Sequence, residues 1–212
     1  MIDVTLIDSM GSDLTVVNAA RVSFKKKSEW DYDYKLTVDD ALLISYLARH
    51  KHMSPFGHCF VSFHVKAPIF VARQLVKHKF LRWNEVSRRY VDEEPEFYEP
   101  ETWRGRAKDK KQGSDGVINT AVSPMYAYQA TLGTYKNLLE DGVAPEQARM
   151  VLPQSTMTEW YWSGSLDAWS DMCKLRLKED TQYETRLVAM GIDKHMDTLY
   201  PDSWAALKAY NT

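Results

Sequence analysis

Hydrophobic and polar positions alternate most cleanly over residues 59–68, CFVSFHVKAP, where Val61, Phe63, Val65 and Ala67 oppose Phe60, Ser62, His64 and Lys66. A period of two over that length predicts a half-buried strand. IDVTLID at 2–8 and the aromatic-rich TMTEWYWS at 156–163 alternate in the same way and predict two more strands. Elsewhere the period lengthens to three and four residues. After a turn at Met10-Gly11-Ser12, LTVVNAARVSF predicts a short helix starting near Asp13. Thr37 with Asp40 three residues on resembles a capping box, with Asp for the usual Glu or Gln, ahead of the helical ALLISYLARH. Ala121, Met125, Tyr128, Leu132, Tyr135 and Leu139 predict one long helix over 119–140, closed by Asp141-Gly142. PEQARMVLP predicts a shorter helix with Pro145 at its first position. Ser165 caps LDAWSDMCKLRLKED, which leads, with or without a break, into TQYETRLVAMGI and a last helical piece from Asp193 containing Pro201. Residues 25–35 are a charged, aromatic connection, and 101–117, rich in Gly, Lys and Asp, are the most linker-like and the segment where mobility is expected.

Composition narrows this to one soluble domain spanning 1–212, since 212 residues suffice for a single full-sized core. A formal net charge of −2 argues against a globally basic nucleic-acid binder, so any anion site is local. No run approaches the roughly 18 apolar residues of a membrane span, and MIDVTLIDSM carries acids where a signal peptide carries bases, so the expected location is cytoplasmic. Cys59 and Cys173, far apart in sequence, are expected to be buried thiols rather than a disulfide.

The candidate chemistry is concentrated in residues 67–100. There Arg73, Lys77, Lys79, Arg82, Arg88 and Arg89 surround one acid, Glu85, before the chain turns acidic. If 69–79 are helical, Arg73, Gln74, Lys77 and His78 share a face suited to a phosphate, opposite Ala72, Leu75 and Val76. An extended Asn84–Tyr90 would then set an amide, a carboxylate, a hydroxyl and a guanidinium on one side. On these residues alone a solvated charged face competes with an anion site, and so does a nucleic-acid patch with Phe80, Trp83 and Tyr90 as stacking platforms. The glycines form no G-x-G-x-x-G turn and no Walker A loop. His50, His52 and His58 lack a metal-ligand spacing, so no metal is expected. Ser87 has no histidine placed to act as its base.

These residues do, however, resemble a known family. Lys77-His78-Lys79, seven residues, then Ser87, within N-E-x-S-x-R-Y, is similar to the Arg-His-Arg, seven residues, Ser signature of the flavin-dependent thymidylate synthases. AARVSF at 19–24, HKHMSPFGH at 50–58, ARMVLP at 148–153 and LRLKEDTQYETR at 175–186 follow in the family's order, leaving 25–35 and 101–118 as variable connections. The resemblance implies an α+β fold, an antiparallel sheet with long helices and no Rossmann core, assembled as a homotetramer with active sites shared between subunits. It implies conversion of dUMP to dTMP, with 5,10-methylenetetrahydrofolate as carbon donor, NADPH as reductant and FAD as redox carrier. By position it implies flavin contacts at Ser23, His52, Ser54, Lys77, His78, Lys79 and Arg176. It implies dUMP contacts at Gln74, Glu85, Ser87, Arg88, Arg89, Arg149 and Arg186, the last also activating the pyrimidine.

Some positions depart from the family pattern. Lys77 and Lys79 replace arginines, keeping charge but losing the planar fork. Leu81-Arg82 stands where small residues are usual, Gly57 for an acid, Lys174 for an asparagine and Asp180 for a histidine. Leu81-Arg82 and the two lysines motivate one alternative, a paralogue that acts on a modified pyrimidine or gives a hydroxymethyl product; the basic stretch itself motivates another, a non-catalytic nucleic-acid-binding protein.

Overall fold

The computed structural model describes residues 1–91, 93–108 and 113–210. Strand β1 (Asp3–Met10) leads into helices α1 (Asp13–Arg21) and α2 (Val38–Arg49). Thr37 caps α2 as its sequence suggests: its hydroxyl oxygen accepts the Asp40 N–H at 3.2 Å and its O–H donates to the Asp40 carboxylate at 2.9 Å. Strand β2 (Phe60–Pro68) runs straight into α3 (Ile69–Leu75), and β3 (Arg82–Glu85) follows. A hairpin of β4 (Trp103–Arg106) and β5 (Ser114–Ile118) precedes α4 (Met125–Glu140) and the short α5 (Pro145–Ala148). Strand β6 (Met157–Ser165) then feeds α6 (Leu166–Arg176), α7 (Tyr183–Leu199) and α8 (Pro201–Tyr210).

The main sheet has the order β1-β2-β6-β3 and is antiparallel throughout. Register sets its two faces. Phe63 stands opposite Trp162, Val65 opposite Trp160, and across the next seam Trp83 stands opposite Trp162. These side chains form the core face under α6 and α7. Trp83 stacks on Trp160 at 4.4 Å, and Trp169 of α6 meets Trp162 edge-on at 4.9 Å and Phe63 at 5.2 Å. On the opposite face the three central β2–β6 pairs are polar and matched: Ser163 donates to Ser62 at 2.8 Å, His64 packs on Tyr161, and Lys66 lies 3.9 Å from Glu159. Such cross-strand pairs are what hold a sheet in register. Helix α7 crosses close to β1, where a Cβ on Gly191 would come within 2.9 Å of Val4.

Several elements differ from their sequence expectation. The last helical piece, expected from Asp193, starts at Pro201, because α7 runs from Tyr183 through Asp193 to Leu199. The helix predicted over 69–79 stops at Leu75, because the chain must reverse to pair β3 with β6. It does so through Phe80 in the left-handed region (φ 65°), after which Leu81 packs over Gly164 so closely that a Cβ there would lie 2.3 Å from it. The long helix expected from 119 starts at Met125, with Pro124 as its N-cap. The linker-like 101–117 contains the β4–β5 ladder; its residues 109–112 lie outside the described residues. Cys59 and Cys173 are free and buried, and burial pushes the Cys59 thiol up to about 12. Among the described residues no helix is long and apolar enough to cross a membrane. Nor do three His, Cys, Asp or Glu side chains gather as metal ligands there.

Candidate active site

Glu85 ends β3 on the core face, opposite Trp160, and is the best-held side chain of the basic stretch. Arg73 of α3 grips its carboxylate with both Nη atoms, at 2.8 and 3.1 Å. Trp83 Nε1 donates to Oε2 at 3.2 Å and the Thr158 hydroxyl to Oε1 at 3.0 Å. Two donors per oxygen fill the acceptor capacity of a carboxylate, so any substrate N–H reaching Glu85 must displace one of them. Arg73 itself is 53% exposed and turns the rest of its guanidinium outward. Asn84, expected beside Glu85, instead faces the polar side of the sheet opposite Tyr161, because adjacent strand residues point to opposite faces.

Beyond Glu85 the extended backbone lasts one more residue, with Val86 N–H bonded to the Glu159 carbonyl. Residues 87–90 then form a turn rather than the expected strand, closed by Tyr90 N–H to Ser87 carbonyl at 3.0 Å. Inside it the Ser87 hydroxyl accepts the backbone N–H and the Nε of Arg89, at 3.4 and 3.3 Å. Arg89 lies over the exposed Tyr90 ring at 5.0 Å, whereas Arg88 is drawn towards the acidic segment, donating to the Glu93 carbonyl at 2.5 Å. Arg89 is thus the exposed cation of the turn and Arg88 its anchor.

The turn that ends α3 meets α6 and α7 at Gln74 and His78. Arg176 Nε donates to His78 Nε2 at 2.9 Å, and its Nη2 approaches the Gln74 carbonyl at 3.5 Å. The Thr185 hydroxyl donates to the Gln74 side-chain carbonyl at 3.2 Å. Burial first, then the Arg176 charge, depress the His78 pKa to about 4, against an opposing pull from Asp171. His78 is therefore neutral at physiological pH, and with Nε2 accepting, the proton sits on Nδ1. Its folded pKa lies below the unfolded value of about 6.5, so between those values the unfolded chain binds the proton first and stability falls as pH falls. The expected result is that the thermal midpoint drops between pH 6.5 and 4 by more in the parent than in His78→Gln; equal slopes would refute the assignment. Lys77 and Lys79 flank this neutral ring on the exposed side.

The remaining candidates lie elsewhere in the single chain. Ser23 sits exposed in a 3-10 turn after α1, next to Arg21, which bonds the buried Asp40 at 2.6 and 2.9 Å. His52 and Ser54 are exposed at the corner after α2, where Tyr46, His50 and His52 pack their rings together. Among the described residues the Arg149 side chain bonds only back to the Glu146 carbonyl, at 3.3 Å. Arg186, next to Thr185 on α7, bonds the Glu179 carbonyl at 3.3 Å and lies 5.6 Å from the Tyr183 ring. Among the described residues no hydrogen bond joins Ser23, His52, Ser54 or Arg149 to the Gln74–Glu85 group. Residues the sequence reading missed are Thr158, Thr185 and the pairing role of Arg73. Only strand register and helix docking bring them in, and neither leaves a local signal.

A family model described as "Thymidylate synthase complementing protein" matches residues 5–202. A flavin-dependent thymidylate synthase from Thermus thermophilus is 43% identical over 210 residues, covering 98% of this chain and 76% of that protein. One from Kosmotoga olearia is 38% identical over 211 residues, covering 96% and 88%. The structure of a UMP/dUMP methylase, PolB from Streptomyces cacaoi, bound with 5-Br dUMP, superposes with a TM-score of 0.86 at 32% identity, covering 99% of this chain and 96% of that one.

Proposed function

Since the chain belongs to the flavin-dependent thymidylate synthase family, we propose that it is an FAD-dependent methyltransferase that converts dUMP to dTMP, with 5,10-methylenetetrahydrofolate as carbon donor and NADPH as reductant. The observation that carries this reading is the position of Gln74. Its backbone carbonyl and side chain are tied to Arg176 and Thr185, and its neighbour Arg73 holds Glu85, so the flavin and nucleotide candidates meet at one residue. On this reading Ser23, His52, Ser54, Lys77, His78, Lys79 and Arg176 hold the flavin, and Gln74, Glu85, Ser87, Arg88, Arg89, Arg149 and Arg186 serve dUMP. The enzyme of this proposal is a cytoplasmic homotetramer, and the scatter of Ser23, His52, Ser54 and Arg149 over one chain fits sites completed between subunits.

The donor set fits an anionic flavin nucleotide. Lys77 and Lys79 are exposed point charges for phosphate or ring oxygens, and neutral His78, fixed by Arg176, offers its Nδ1–H. Bound there, the flavin supplies the hydride and the redox cycle. The chain's own work is electrostatic. Uracil is a weak carbon nucleophile, and Arg186 against a ring carbonyl stabilises the negative charge that develops as the ring attacks the one-carbon unit. Arg89 and the Ser87 hydroxyl suit the nucleotide phosphate, the guanidinium by charge-assisted bonds. Leu81, one of the departures from the family pattern, packs over Gly164 in the core, and Arg82 faces the polar side of the sheet beside Ser163, away from Glu85. Both placements favour unmodified dUMP over the paralogue reading.

The test is an absorbance spectrum of the protein with FAD, then NADPH oxidation with the folate, with and without dUMP, and the product mass. Flavin binding and a methyl gain are expected. UMP is run beside dUMP because the similar methylase is a UMP/dUMP enzyme. A hydroxymethyl gain would favour the paralogue, and a protein that binds no FAD would end the proposal. Lys77→Arg and Lys79→Arg are each expected to tighten FAD or leave it unchanged, read by flavin fluorescence. A large loss would mean that the site is built around lysine.

A further inference from the structure

We propose that Arg104, on the β4–β5 hairpin, is a positioning residue that fixes the first turn of α7 and so aims Arg186 and braces Gln74 for the reaction. This rests on the role given to Arg186 above. Helix α7 begins without ordinary support: its N-cap, Gln182, makes no side-chain capping bond, and the first N–H groups of any helix lack intrahelical partners. That same turn carries Thr185, which bonds Gln74, and Arg186.

The hairpin holds this turn in another way, through the side chains of its first two residues. Arg104 is paired with Val117 and Gly105 with Asp115, so Gly116 of β5 is the extra residue of a β-bulge beside Arg104; a Cβ on Gly105 would meet the Asp115 carbonyl at 2.7 Å, so this close pairing depends on glycine. Arg104 Nε donates to the Ser114 hydroxyl at 2.9 Å, which sets the guanidinium plane. Its Nη2 then pairs with Glu184, whose side chain is only 10% exposed and also accepts from Tyr98 at 3.4 Å. Its face covers the Tyr183 ring at 4.3 Å, and Arg186 lies 5.6 Å from that same ring. One guanidinium thus holds Tyr183 and Glu184, the two residues before Thr185 and Arg186. The planar fork and the stacking are properties that lysine lacks.

A double-mutant cycle in the FAD-loaded enzyme tests this, with Arg104→Met, Arg104→Lys, Glu184→Gln and Arg186→Ala, and flavin absorbance confirming cofactor loading in each. Arg104→Met is expected to lower kcat roughly 100-fold, as a displaced catalytic group does, with the KM for dUMP changed far less. Arg104→Lys is expected to recover only part of that loss. Where Arg186 is already alanine, Arg104→Met is expected to cost no more than roughly threefold further, because the two residues act as one unit. Should Arg104→Met not fold, Glu184→Gln carries the same cycle. Additive losses, or wild-type kcat in both Arg104→Met and Glu184→Gln, would overturn the inference while leaving Arg186 its role. Wild-type turnover in Arg186→Ala would remove that role, and the inference with it.

Discussion

Arg186→Ala is expected to cut dUMP turnover roughly 100- to 1,000-fold, the cost of removing one preorganised donor from a developing anion, while FAD remains bound. The reasoning is local. Arg186 is only half-buried, and among the described residues its side chain makes one hydrogen bond, to the Glu179 carbonyl at 3.3 Å, so its guanidinium is available to a substrate and its loss leaves the core intact. The flavin candidates nearest in the fold, His78 and Arg176, bond each other and do not involve it. Stopped-flow measurement separates the outcomes: NADPH-driven flavin reduction should survive, and reoxidation by folate and dUMP should fail. A variant with parental kcat would strip Arg186 of its catalytic role, and one without flavin would show that it belongs to the other site.

Trp162→Ala is expected to destabilise the fold by about 3–5 kcal/mol, the usual cost of emptying a buried aromatic site. Trp162 is 1% exposed and is flanked in register by Phe63 and Trp83, with Trp169 edge-on at 4.9 Å. Because native domains hold only about 5–15 kcal/mol in reserve, such a loss should move the urea midpoint far below the parent's. Its neighbour Tyr161, on the opposite face and 52% exposed, provides the control: Tyr161→Ala should cost less than about 1 kcal/mol, as surface changes away from special features do. The site should feel the first change and not the second, since Trp83 touches Trp162 and donates to Glu85. Equal losses at 161 and 162 would mean that the face assignment is wrong.

By itself the sequence determined those parts of the protein whose cause is local. The period of two in CFVSFHVKAP and TMTEWYWS sufficed for β2 and β6 and for which of their side chains are buried, since pleating alone sends alternate residues to opposite faces. The Thr37 cap and the Asp141-Gly142 stop are likewise short-range, Gly142 taking up a φ of 83°. The motif spacing from Lys77 to Ser87 was enough for the family. What only the tertiary structure decided are the features whose cause lies far along the chain. Helix α3 ends at Leu75 because β3 must reach β6, some eighty positions on, and because Leu81 needs the space over Gly164. Glu85 is saturated by Arg73, Trp83 and Thr158, and Gln74 is braced from α6 and α7, through contacts that no periodicity encodes. The segment that reads as a linker became a hairpin whose Arg104 takes its meaning from Glu184, eighty residues later. Local propensity is a sum over neighbours in sequence, whereas register and ion pairing are settled when distant segments dock, and the candidate active site is built almost wholly from the second kind.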